Sequence, residues 1–417
     1  MIHIAYLGVD AASKENQFAL LSQEGKLICP SFRLPNSALG VEELLLKLHP
    51  LLKEHDIQKL LVGTEATSMY DWHLLEYLAQ STLAQAVTLV LYRLNAREIR
   101  NFKKALPNKG KTDRLDAVAI AERLRFGNLK EPYQAQSPYM PLQRLTRFRV
   151  HVIETLVREK SFFVMNLFLK FSSFKPIKPF GESVFTKTSL ATIGEFHSPE
   201  EIAEIPLEDL IGFLIRHGKN RFREPEKVAE ALKRVGRESY RLRPEIRPTV
   251  DLILAETLNN IRALEKSANH AKEAIADAFK AFPSTLTSIP GIGPTIASGL
   301  LAEIGDIRRF GKEAQLAKFA GLVWNPFESS DFKAEERRLS KTGNRYLRYY
   351  LIEGANLVRM HAPEFRAFYE LKYREAAKHH HKRALVLTAR KLVRLVFALL
   401  KKGQLYAPKE VLPANTF

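Results

Sequence analysis

The N-terminal part of the chain alternates between short apolar runs and longer segments with helical spacing. The runs at 4–10, 59–65 and 86–94 have the length of buried strands, and 17–34 has the pattern of a β-hairpin. Helical spacing covers three further segments, at 41–55, 69–80 and 113–127. Pro50 is expected to kink or split the first of these helices. The pattern predicts a mixed α/β sheet flanked by helices.

Two long segments with helical spacing enclose the middle of the chain. Residues 140–171 are periodic, and the end of this segment, 161–171, is apolar on every side and is therefore expected to be buried. Residues 248–279 return to heptad-like spacing. An antiparallel coiled-coil arm explains both segments, although two core helices of a bundle have nearly the same pattern. The residues between them, at about 172–240, are expected to form an insertion.

The last third of the chain has the spacing of consecutive helices. It begins near Phe282 with the letters SIPGIGPTIASGLL, and the periodicity continues to about Lys402. The expected fold class is therefore α/β plus all-α. The expected domains are an α/β domain at 1–130, an arm at 138–281, a C-terminal helical domain at 282–405 and a tail at 406–417.

The charge balance points to a polyanionic partner. The chain has 64 Lys and Arg against 46 Asp and Glu, which gives a net charge of +18 and a pI near 9.7. Residues 333–402 alone carry 18 basic and 6 acidic side chains. Such a concentration favours a binding surface, for nucleic acid first and for an acidic membrane second.

Cysteine content and hydropathy bear on the compartment. Cys29 is the only cysteine, so no intramolecular disulfide can form, and a reducing compartment is natural. The first residues lack the features of a signal peptide, and no apolar run is long enough to span a membrane. A cytoplasmic protein is expected.

Four acidic residues occur at positions where they could form a metal-binding site. Asp10 and Glu65 each close an apolar run and should lie at the ends of buried strands, whereas Asp113 and Asp116 share one face of a helix. Converging carboxylates stay ionised together only if cations hold them, and hard oxygen ligands select Mg²⁺ or Mn²⁺. Two such ions could assist phosphoryl transfer. The alternative is that Asp113 caps a helix after Thr112 and Asp116 is a first-turn acid favoured by the helix dipole.

The letters PGIGPT at 290–295 are typical of a phosphate-binding turn. Gly291 and Gly293 let the backbone turn tightly before a helix and expose amide N–H groups, as in a helix-hairpin-helix element. Glycines are also common in loops that bind nothing.

The letters SKTGNRYLRYY place cations among aromatic residues, a pattern that suits phosphates and unstacked bases. The candidate nucleic-acid ligands in this segment are Lys341, Asn344, Arg345 and Arg348. An amphipathic helix with tyrosines in the core has the same pattern. From their spacing alone, Ser329 and Ser330 are expected to be turn residues. The three consecutive histidines at 379–381 are expected to form a basic surface and not a metal site, because on a helix they cannot all point at one ion.

These letters, taken in order, resemble a known family. YLGVD, GTEAT and KTDRLDA, followed by IPGIGP, AGLVWNPFESSDF and SKTGN, are similar to the DEDD transposases of insertion sequence family one-hundred-and-ten, the bridge-RNA-guided recombinases. The likeness covers both ends of the chain and leaves the insertion unaccounted for. No single motif is specific, but the ordered acids together with the C-terminal letters are.

The resemblance implies an N-terminal domain that is RuvC-like, with an RNase H fold. The acids that would form its catalytic metal tetrad, with Mg²⁺ or Mn²⁺, are Asp10, Glu65, Asp113 and Asp116. In the family, a serine from a QSG element attacks DNA and forms a covalent phosphoserine link. The corresponding letters here are ESS, so the register gives Ser329 as the nucleophile, with Ser330 in the place of the glycine as the other candidate.

The resemblance also implies partners, and two simpler functions remain as alternatives. A structured guide RNA would pair with donor and target DNA, and a homodimer would assemble into a tetramer through the arm. The expected function is therefore a DNA transposase or recombinase. A metal-dependent nuclease or junction resolvase would activate water at the same acids, and a non-enzymatic nucleic-acid-binding protein would need only the helical domain and the arm.

Overall fold

The structure is a computed structural model of the chain. It describes residues 3–105, 112–129, 132–324 and 339–408, and within 325–338 only the backbone of 328–329 and 332–333. The chain forms two compact units, Met1–Gln143 together with Pro283–Phe417, and Arg144–Phe282. The first unit thus combines the two ends of the chain, and the second comes from the middle.

The first unit contains a five-stranded sheet with the order β3-β2-β1-β4-β5. The strands are β1 (Ile4–Ala11), β2 (Glu15–Leu21), β3 (Phe32–Pro35), β4 (Lys59–Glu65) and β5 (Thr88–Leu94). The β1–β4 and β4–β5 pairs are parallel, whereas β1–β2 and β2–β3 are antiparallel. The adjoining helices are α1 (Ala38–Glu54), α2 (Trp72–Gln80), α3 (Leu83–Ala86), α4 (Ala96–Ala105) and α5 (Asp113–Arg125). The predicted mixed sheet with flanking helices is confirmed.

The two faces of the sheet are covered by different helices. On one face, Val9 of β1 shares a buried cluster with Leu44 of α1 and Leu74 of α2. On the other face, Tyr6 of β1 shares a cluster with Ile120 of α5. Because side chains alternate along a strand, each position of β1 and β4 belongs to one of these two faces.

Pro50 lies inside α1 without dividing it. Leu48 and Leu52 are buried on either side of Pro50 and hold both halves of the helix on the sheet. The proline removes the hydrogen bond to the carbonyl of Leu46, whose side chain is 76% exposed, so water can hydrate that carbonyl. Pro50 therefore does not split this helix, and a kink at Pro50 stays a prediction.

The second unit has its own hydrophobic core. It contains the greater part of α6 and all of α7 to α12, and its buried cluster includes Phe163, Leu210, Leu232 and Leu254. The helices are α6 (Met140–Lys170), α7 (Phe174–Ile177), α8 (Lys187–Glu195), α9 (Pro199–Glu204), α10 (Leu207–Gly218), α11 (Pro225–Glu238) and α12 (Arg247–Phe279). The residues of the expected insertion therefore supply short helices that complete a core with the two long ones. The coiled-coil interpretation stays a prediction.

The expectation that 161–171 is buried throughout is wrong. Phe163 and Leu167 are buried, but Met165 and Phe168 remain 59% and 55% exposed. The short helices of this unit cover one side of α6, and the opposite side keeps its apolar residues in contact with solvent. The exposed apolar side chains on that side are Val157, Phe162, Met165, Phe168 and Leu169.

The C-terminal part of the first unit is helical. It contains a 3₁₀ helix (Thr285–Ser288), α13 (Pro294–Ile304), a second 3₁₀ helix (Ile307–Arg309), α14 (Glu313–Ala320), the two-residue strands β6 (Glu328–Ser329) and β7 (Phe332–Lys333), α15 (Arg345–His361), α16 (Pro363–Arg374) and α17 (His380–Lys402). Tyr406, in the expected tail, bonds through its backbone N–H to Ser288 Oγ at 2.8 Å and through its hydroxyl to Glu364. Within the described ranges, no helix has the length and apolar character to cross a membrane.

Candidate active site

Strand alternation directs two of the predicted acids toward α5. Asp10 follows Val9, which faces α1, so the Asp10 side chain lies on the α5 face of β1. Glu65 ends the parallel neighbour β4, three positions after Val62, another residue of the α1 face. The carboxyl ends of parallel strands meet at one edge of a sheet. Both acids therefore lie at the edge where α5 begins.

Two glycines let α5 approach the sheet closely. Gly8 and Gly63 are paired across β1 and β4, and each precedes its acid by two residues on the same face. A Cβ on Gly8 would lie 2.0 Å from the Ala117 carbonyl oxygen, and one on Gly63 would lie 2.9 Å from Leu124. A side chain at position 8 would meet the backbone of α5, whereas one at position 63 would meet only the Leu124 side chain, so Gly8 above all sets the distance between the strand acids and the helix acids.

Lys103 of α4 joins the acid of β4 to an acid of α5. Its Nζ lies 2.9 Å from Asp116 Oδ1 and 3.8 Å from Glu65 Oε2. The three side chains are 20–28% exposed, so solvent screens these contacts only in part. The ammonium therefore acts as a cation between two carboxylates of the predicted tetrad.

Asp10 is the acid most affected by its surroundings. Burial raises the pKa of its carboxyl, and the negative charges of Asp116, Asp113 and Glu65 raise it further, while Lys103 lowers it. The charges of the other three predicted acids therefore act on Asp10 in the folded chain. The structure places the four carboxyl groups at one edge of the sheet.

Asp113 is held by a cation from the antiparallel side of the sheet. Arg33 Nη2 of β3 lies 3.0 Å from Asp113 Oδ2, and Arg33 Nε donates to Gln17 Oε1 at 2.9 Å. Gln17 is the residue that pairs with Asp10 across β1 and β2. The helix cap of α5 is Thr112, whose side chain accepts from the Leu115 N–H. Asp113 is thus free of the capping role that was its alternative explanation.

The donor set suits a hard divalent ion. In the described part of the chain, no three His, Cys, Asp or Glu side chains are close enough to ligate an ion in their present positions. Instead the ammonium of Lys103 stands between Glu65 and Asp116, where a cation is needed to offset their charges. Carboxylate oxygens are the ligands that Mg²⁺ and Mn²⁺ prefer. The residues therefore fit a metal of this class, once the ammonium has moved.

A buried ion pair on the opposite face fixes the segment that follows Glu65. Thr64 Oγ1 donates to Asp71 Oδ2 at 2.7 Å, and Arg93 donates to both Asp71 oxygens at 2.6 and 2.8 Å. The Asp71 side chain is only 1% exposed. Since Thr64 immediately precedes Glu65, Asp71 and Arg93 hold the backbone of this acid without touching it.

The glycines of the predicted phosphate-binding turn have different surroundings. Gly291 has a φ of +90°, and a Cβ there would lie 2.9 Å from the Leu357 carbonyl oxygen, so the turn requires glycine. Gly293 caps α13, and the position of its missing Cβ faces open space. A 3₁₀ helix precedes this turn, where the helix-hairpin-helix interpretation expects an α-helix. Phosphate binding by the two glycines stays a prediction.

The predicted cations after the turn are accessible to different degrees. Lys341 is exposed, and the Arg345 guanidinium lies over the Tyr346 ring at 5.0 Å from its centre. Arg348 is partly buried and donates to the Ala320 carbonyl oxygen at 3.0 Å, and burial lowers the pKa of its guanidinium. Tyr350, by contrast, is fully buried, as the core interpretation of the tyrosines expected.

Asn344 has a structural role in addition to any contact with nucleic acid. Its Oδ1 accepts from the N–H groups of Tyr346 and Leu347 and so caps α15. Its Nδ2 donates to Glu303 Oε2 at 2.7 Å. These contacts join α15 to α13, so Asn344 is needed for the fold of the helical part.

One hydrogen bond ties the end of the segment that carries the predicted nucleophile to the sheet. The backbones of Trp324 and Leu339 form a bridge, and the Ser329 backbone pairs with Phe332. The side chain of Ser329 and all of Ser330 lie outside the described residues. Shortly after the bridge, the Thr342 carbonyl accepts from Asn95 Nδ2 at 3.2 Å, and Asn95 directly follows β5.

The three consecutive histidines make contacts within their own helical pair. His380 Nδ1 lies 2.9 Å from the Tyr373 carbonyl oxygen, and His381 Nδ1 lies 2.7 Å from the Tyr369 hydroxyl. His379 precedes α17 with a φ of +54°. No metal-binding group that includes them occurs among the described side chains.

Comparison with known proteins decides the family. A family model for DEDD transposases of the IS110 type matches residues 7–164, which include the four acids. A second, for the transposase IS116/IS110/IS902 family, matches residues 284–370, which include the glycine turn and the serine segment. The chain belongs to the IS110 family of DEDD transposases. DNA is therefore its substrate, and the resemblance inferred from the sequence motifs is confirmed.

Individual relatives agree with this membership. The chain is 24% identical over 322 residues to an uncharacterized 44.8 kDa protein of insertion element IS116 from Streptomyces clavuligerus, covering 75% of this chain and 76% of the relative. It is 30% identical over 196 residues to the transposase for insertion sequence element IS1111A from Coxiella burnetii, covering 47% and 52%. A 42 kDa protein of insertion element IS900 from Mycobacterium paratuberculosis is 21% identical over 98% of both chains.

Several residues of this transposase's site have little or no signal in the sequence. Nothing in the periodicity singles out Lys103 or Arg33 among 64 basic residues. Gly8 and Gly63 can be recognised in the sequence, because each lies two residues before a strand-ending acid and therefore on the same face of the sheet as that acid. The pairing of Asp71 with Arg93 depends on how α2 packs on the sheet and is visible only in the fold.

Proposed function

We propose that this transposase cuts and rejoins DNA by metal-assisted phosphoryl transfer at the acidic cluster, with Ser329 as the nucleophile. The observation that carries the proposal is the convergence of Asp10, Glu65, Asp113 and Asp116 at one sheet edge. There burial and the three other acids raise the pKa of Asp10, and Lys103 contacts Glu65 and Asp116. A cluster of like charges costs stability unless cations occupy it, so its presence favours a functional site.

The four acids would hold Mg²⁺ or Mn²⁺ through their carboxylate oxygens. When bound, such ions withdraw electron density from a phosphodiester and stabilise the charge that develops on its oxygens. The chain itself keeps the carboxylates in register, through Gly8 and Gly63 beneath α5 and through Arg33 on Asp113. The close packing of α5 on the sheet favours a preorganised site, and the exposed Arg33–Asp113 pair adds little to it.

Ser329 would attack the phosphate and hold the cut strand. Its Oγ would lose a proton to solvent and form a bond to phosphorus, while the bond from phosphorus to one deoxyribose oxygen would break and that oxygen would take up a proton from solvent. Since one phosphoester replaces another, the strand can be rejoined without ATP. The anchoring of Thr342 on Asn95 supports this assignment, because it ties the end of the serine segment to the acidic edge of the sheet.

A structured guide RNA would choose the DNA sites by pairing with donor and target. The excess of positive charge, concentrated in residues 333–402, supports binding to several nucleic-acid backbones at once. Sequence specificity would then come from base pairing and not from protein side chains. The helical part around α15 to α17 would supply the backbone contacts, through side chains such as the exposed Lys341 and Arg345.

A homodimer that assembles into a tetramer would hold the two DNA duplexes. The exposed apolar side of α6 supports this part of the proposal, because soluble monomers rarely leave such a surface uncovered. A second copy of this chain would cover it. Each copy would then bring its own acidic cluster and serine segment to the assembly.

The decisive experiment looks for a covalent protein–DNA adduct. Protein, guide RNA and paired labelled DNAs are incubated with Mg²⁺ and separated under denaturing conditions. We expect an adduct in the wild type, its loss by at least about 100-fold in Ser329→Ala, and its retention in the matched variant Ser330→Ala. Asp116→Asn should abolish cleavage itself, because it removes a predicted metal ligand.

Two outcomes would contradict parts of this proposal. An adduct that survives in Ser329→Ala and disappears in Ser330→Ala would move the nucleophile by one residue. Cleavage by the wild type that leaves free phosphate ends and no adduct would make water the nucleophile, as in a junction resolvase.

A further inference from the structure

Lys103 places a positive charge between two carboxylates of the acidic cluster. Its ammonium lies within 2.9 Å of Asp116 and 3.8 Å of Glu65, carboxylates from two separate elements. It also lowers the pKa of Asp10, against the effect of the three other acids. One side chain from α4 thus offsets negative charge on three acids.

A divalent ion and this ammonium cannot share these oxygens. A metal bound to Glu65 and Asp116 would lie in the space between them, about 2 Å from each ligand atom. The ammonium of Lys103 now fills that space. Because both are cations, they would repel each other at such a distance, and one must leave when the other binds.

The ammonium of Lys103 has room to move away from the two carboxylates. Its side chain is 28% exposed, and its flexible four-carbon stem allows the ammonium to move without moving α4. The same helix exposes three more basic residues, Arg97, Arg100 and Lys104. A phosphate backbone lying along α4 would therefore meet a row of cations that ends at the acidic cluster.

We propose that Lys103 is a resident counter-ion of the acidic cluster that exchanges its carboxylate partners for a nucleic-acid phosphate when a divalent ion binds. This inference rests on the proposed metal site. In the free protein Lys103 holds Glu65 and Asp116 together and weakens metal binding. A phosphate beside α4 offers the ammonium another partner and releases the carboxylates. Metal and nucleic acid therefore strengthen each other's binding, by the same factor in both directions.

The test measures Mn²⁺ affinity by titration calorimetry on the full chain, with and without a short DNA duplex. In the wild type we expect the duplex to tighten Mn²⁺ binding by roughly tenfold, a typical coupling between two sites. In Lys103→Met, Mn²⁺ should bind roughly tenfold more tightly without DNA, and the duplex should add less than about threefold. Lys103→Arg should keep weak binding without DNA, because it keeps the charge.

A matched control and a second readout accompany the titration. Lys104→Met removes an exposed charge from the same helix and should leave Mn²⁺ affinity without DNA at the wild-type value. Thermal unfolding in EDTA should show a lower Tm for Lys103→Met than for the wild type, since Glu65 and Asp116 then repel each other. Mn²⁺ should restore that Tm. These measurements do not depend on DNA cleavage.

Different negative results would contradict the counter-ion role of Lys103 and the proposed metal site. Equal Mn²⁺ affinity in wild type and Lys103→Met, with binding lost in Asp116→Asn, would overturn the counter-ion role and leave the metal site intact. No effect of the duplex on Mn²⁺ affinity in the wild type would overturn the exchange with phosphate. Absence of Mn²⁺ binding in both the wild type and Lys103→Met would overturn the metal site itself.

Discussion

One acidic residue of this transposase, Asp10, is held at a cost to its stability. The pKa of Asp10 is raised by burial first and by neighbouring carboxylates second, so the folded protein holds a proton on Asp10 more tightly than the unfolded chain does. The contribution of Asp10 to stability is therefore most favourable below the ordinary pKa of 3.8 and is lost as the pH rises above it. At neutral pH, without metal, Asp10 destabilises the fold.

Asp10→Asn should consequently stabilise the metal-free protein while it abolishes DNA cleavage. The amide keeps the size of the side chain and removes its charge, and we expect a gain of about 1 kcal/mol in the free energy of unfolding at pH 7. Denaturant unfolding in EDTA measures it. Asp56→Asn is the matched control, because Asp56 is 75% exposed and outside the cluster, and it should change stability little. A destabilised Asp10→Asn protein would contradict this account of the site.

At the scale of elements, the approach of α5 to the sheet determines whether the acids meet. The glycine pair Gly8 and Gly63 makes a flat surface on β1 and β4, and α5 lies on it through small residues such as Ala117 and Ala121. The strand acids Asp10 and Glu65 extend from the same face. The packing of α5 on the sheet therefore also brings the four acids together.

Gly8→Ala should therefore damage stability and activity together. Its Cβ would lie 2.0 Å from a backbone oxygen of α5, which cannot rotate away, and overpacking of this kind costs about 1–3 kcal/mol. Thermal unfolding and a cleavage assay with Mg²⁺ measure the two effects. Gly212→Ala is the matched control, because its Cβ would meet open space within α10, and alanine there should be neutral or slightly stabilising. Full activity in Gly8→Ala would contradict the proposed link.

At the scale of the whole molecule, one side of the long helix α6 remains uncovered. Its apolar residues lie opposite those that pack in the core of the second unit, so folding of one chain cannot bury them. The proposed function gives this surface a partner in a second copy of the chain. Area removed from water would then favour assembly.

Met165→Glu should weaken self-association without unfolding the protein. A charge placed in an apolar interface must be desolvated, so we expect the dissociation constant of the dimer to rise by at least about tenfold. Sedimentation velocity over a concentration series measures this change. Leu46→Glu makes the same kind of substitution at an exposed apolar residue of α1 and should leave association unchanged. A wild type that stays monomeric at all concentrations, with and without RNA, would exclude this interface.

The amino-acid pattern was sufficient for the mixed sheet and most of its elements. Lys59–Glu65 appears as the predicted strand, and the two long helices end within a residue or two of their expected positions. Strand alternation and helix periodicity are local properties, and they place Asp10 and Glu65 at strand ends and Asp113 beside Asp116. The sequence by itself therefore determined which acids could form a site.

Only the tertiary structure decided what surrounds those acids. Lys103 and Arg33 were two among many basic residues until packing brought α4 and β3 to the acidic edge. The sequence also could not show which side of α6 stays exposed, because residues 161–171 are apolar on all sides. Only the placement of the short helices determines which side is buried. Periodicity shows which residues can be buried or charged. Which partner each one meets depends on contacts between segments far apart in the chain.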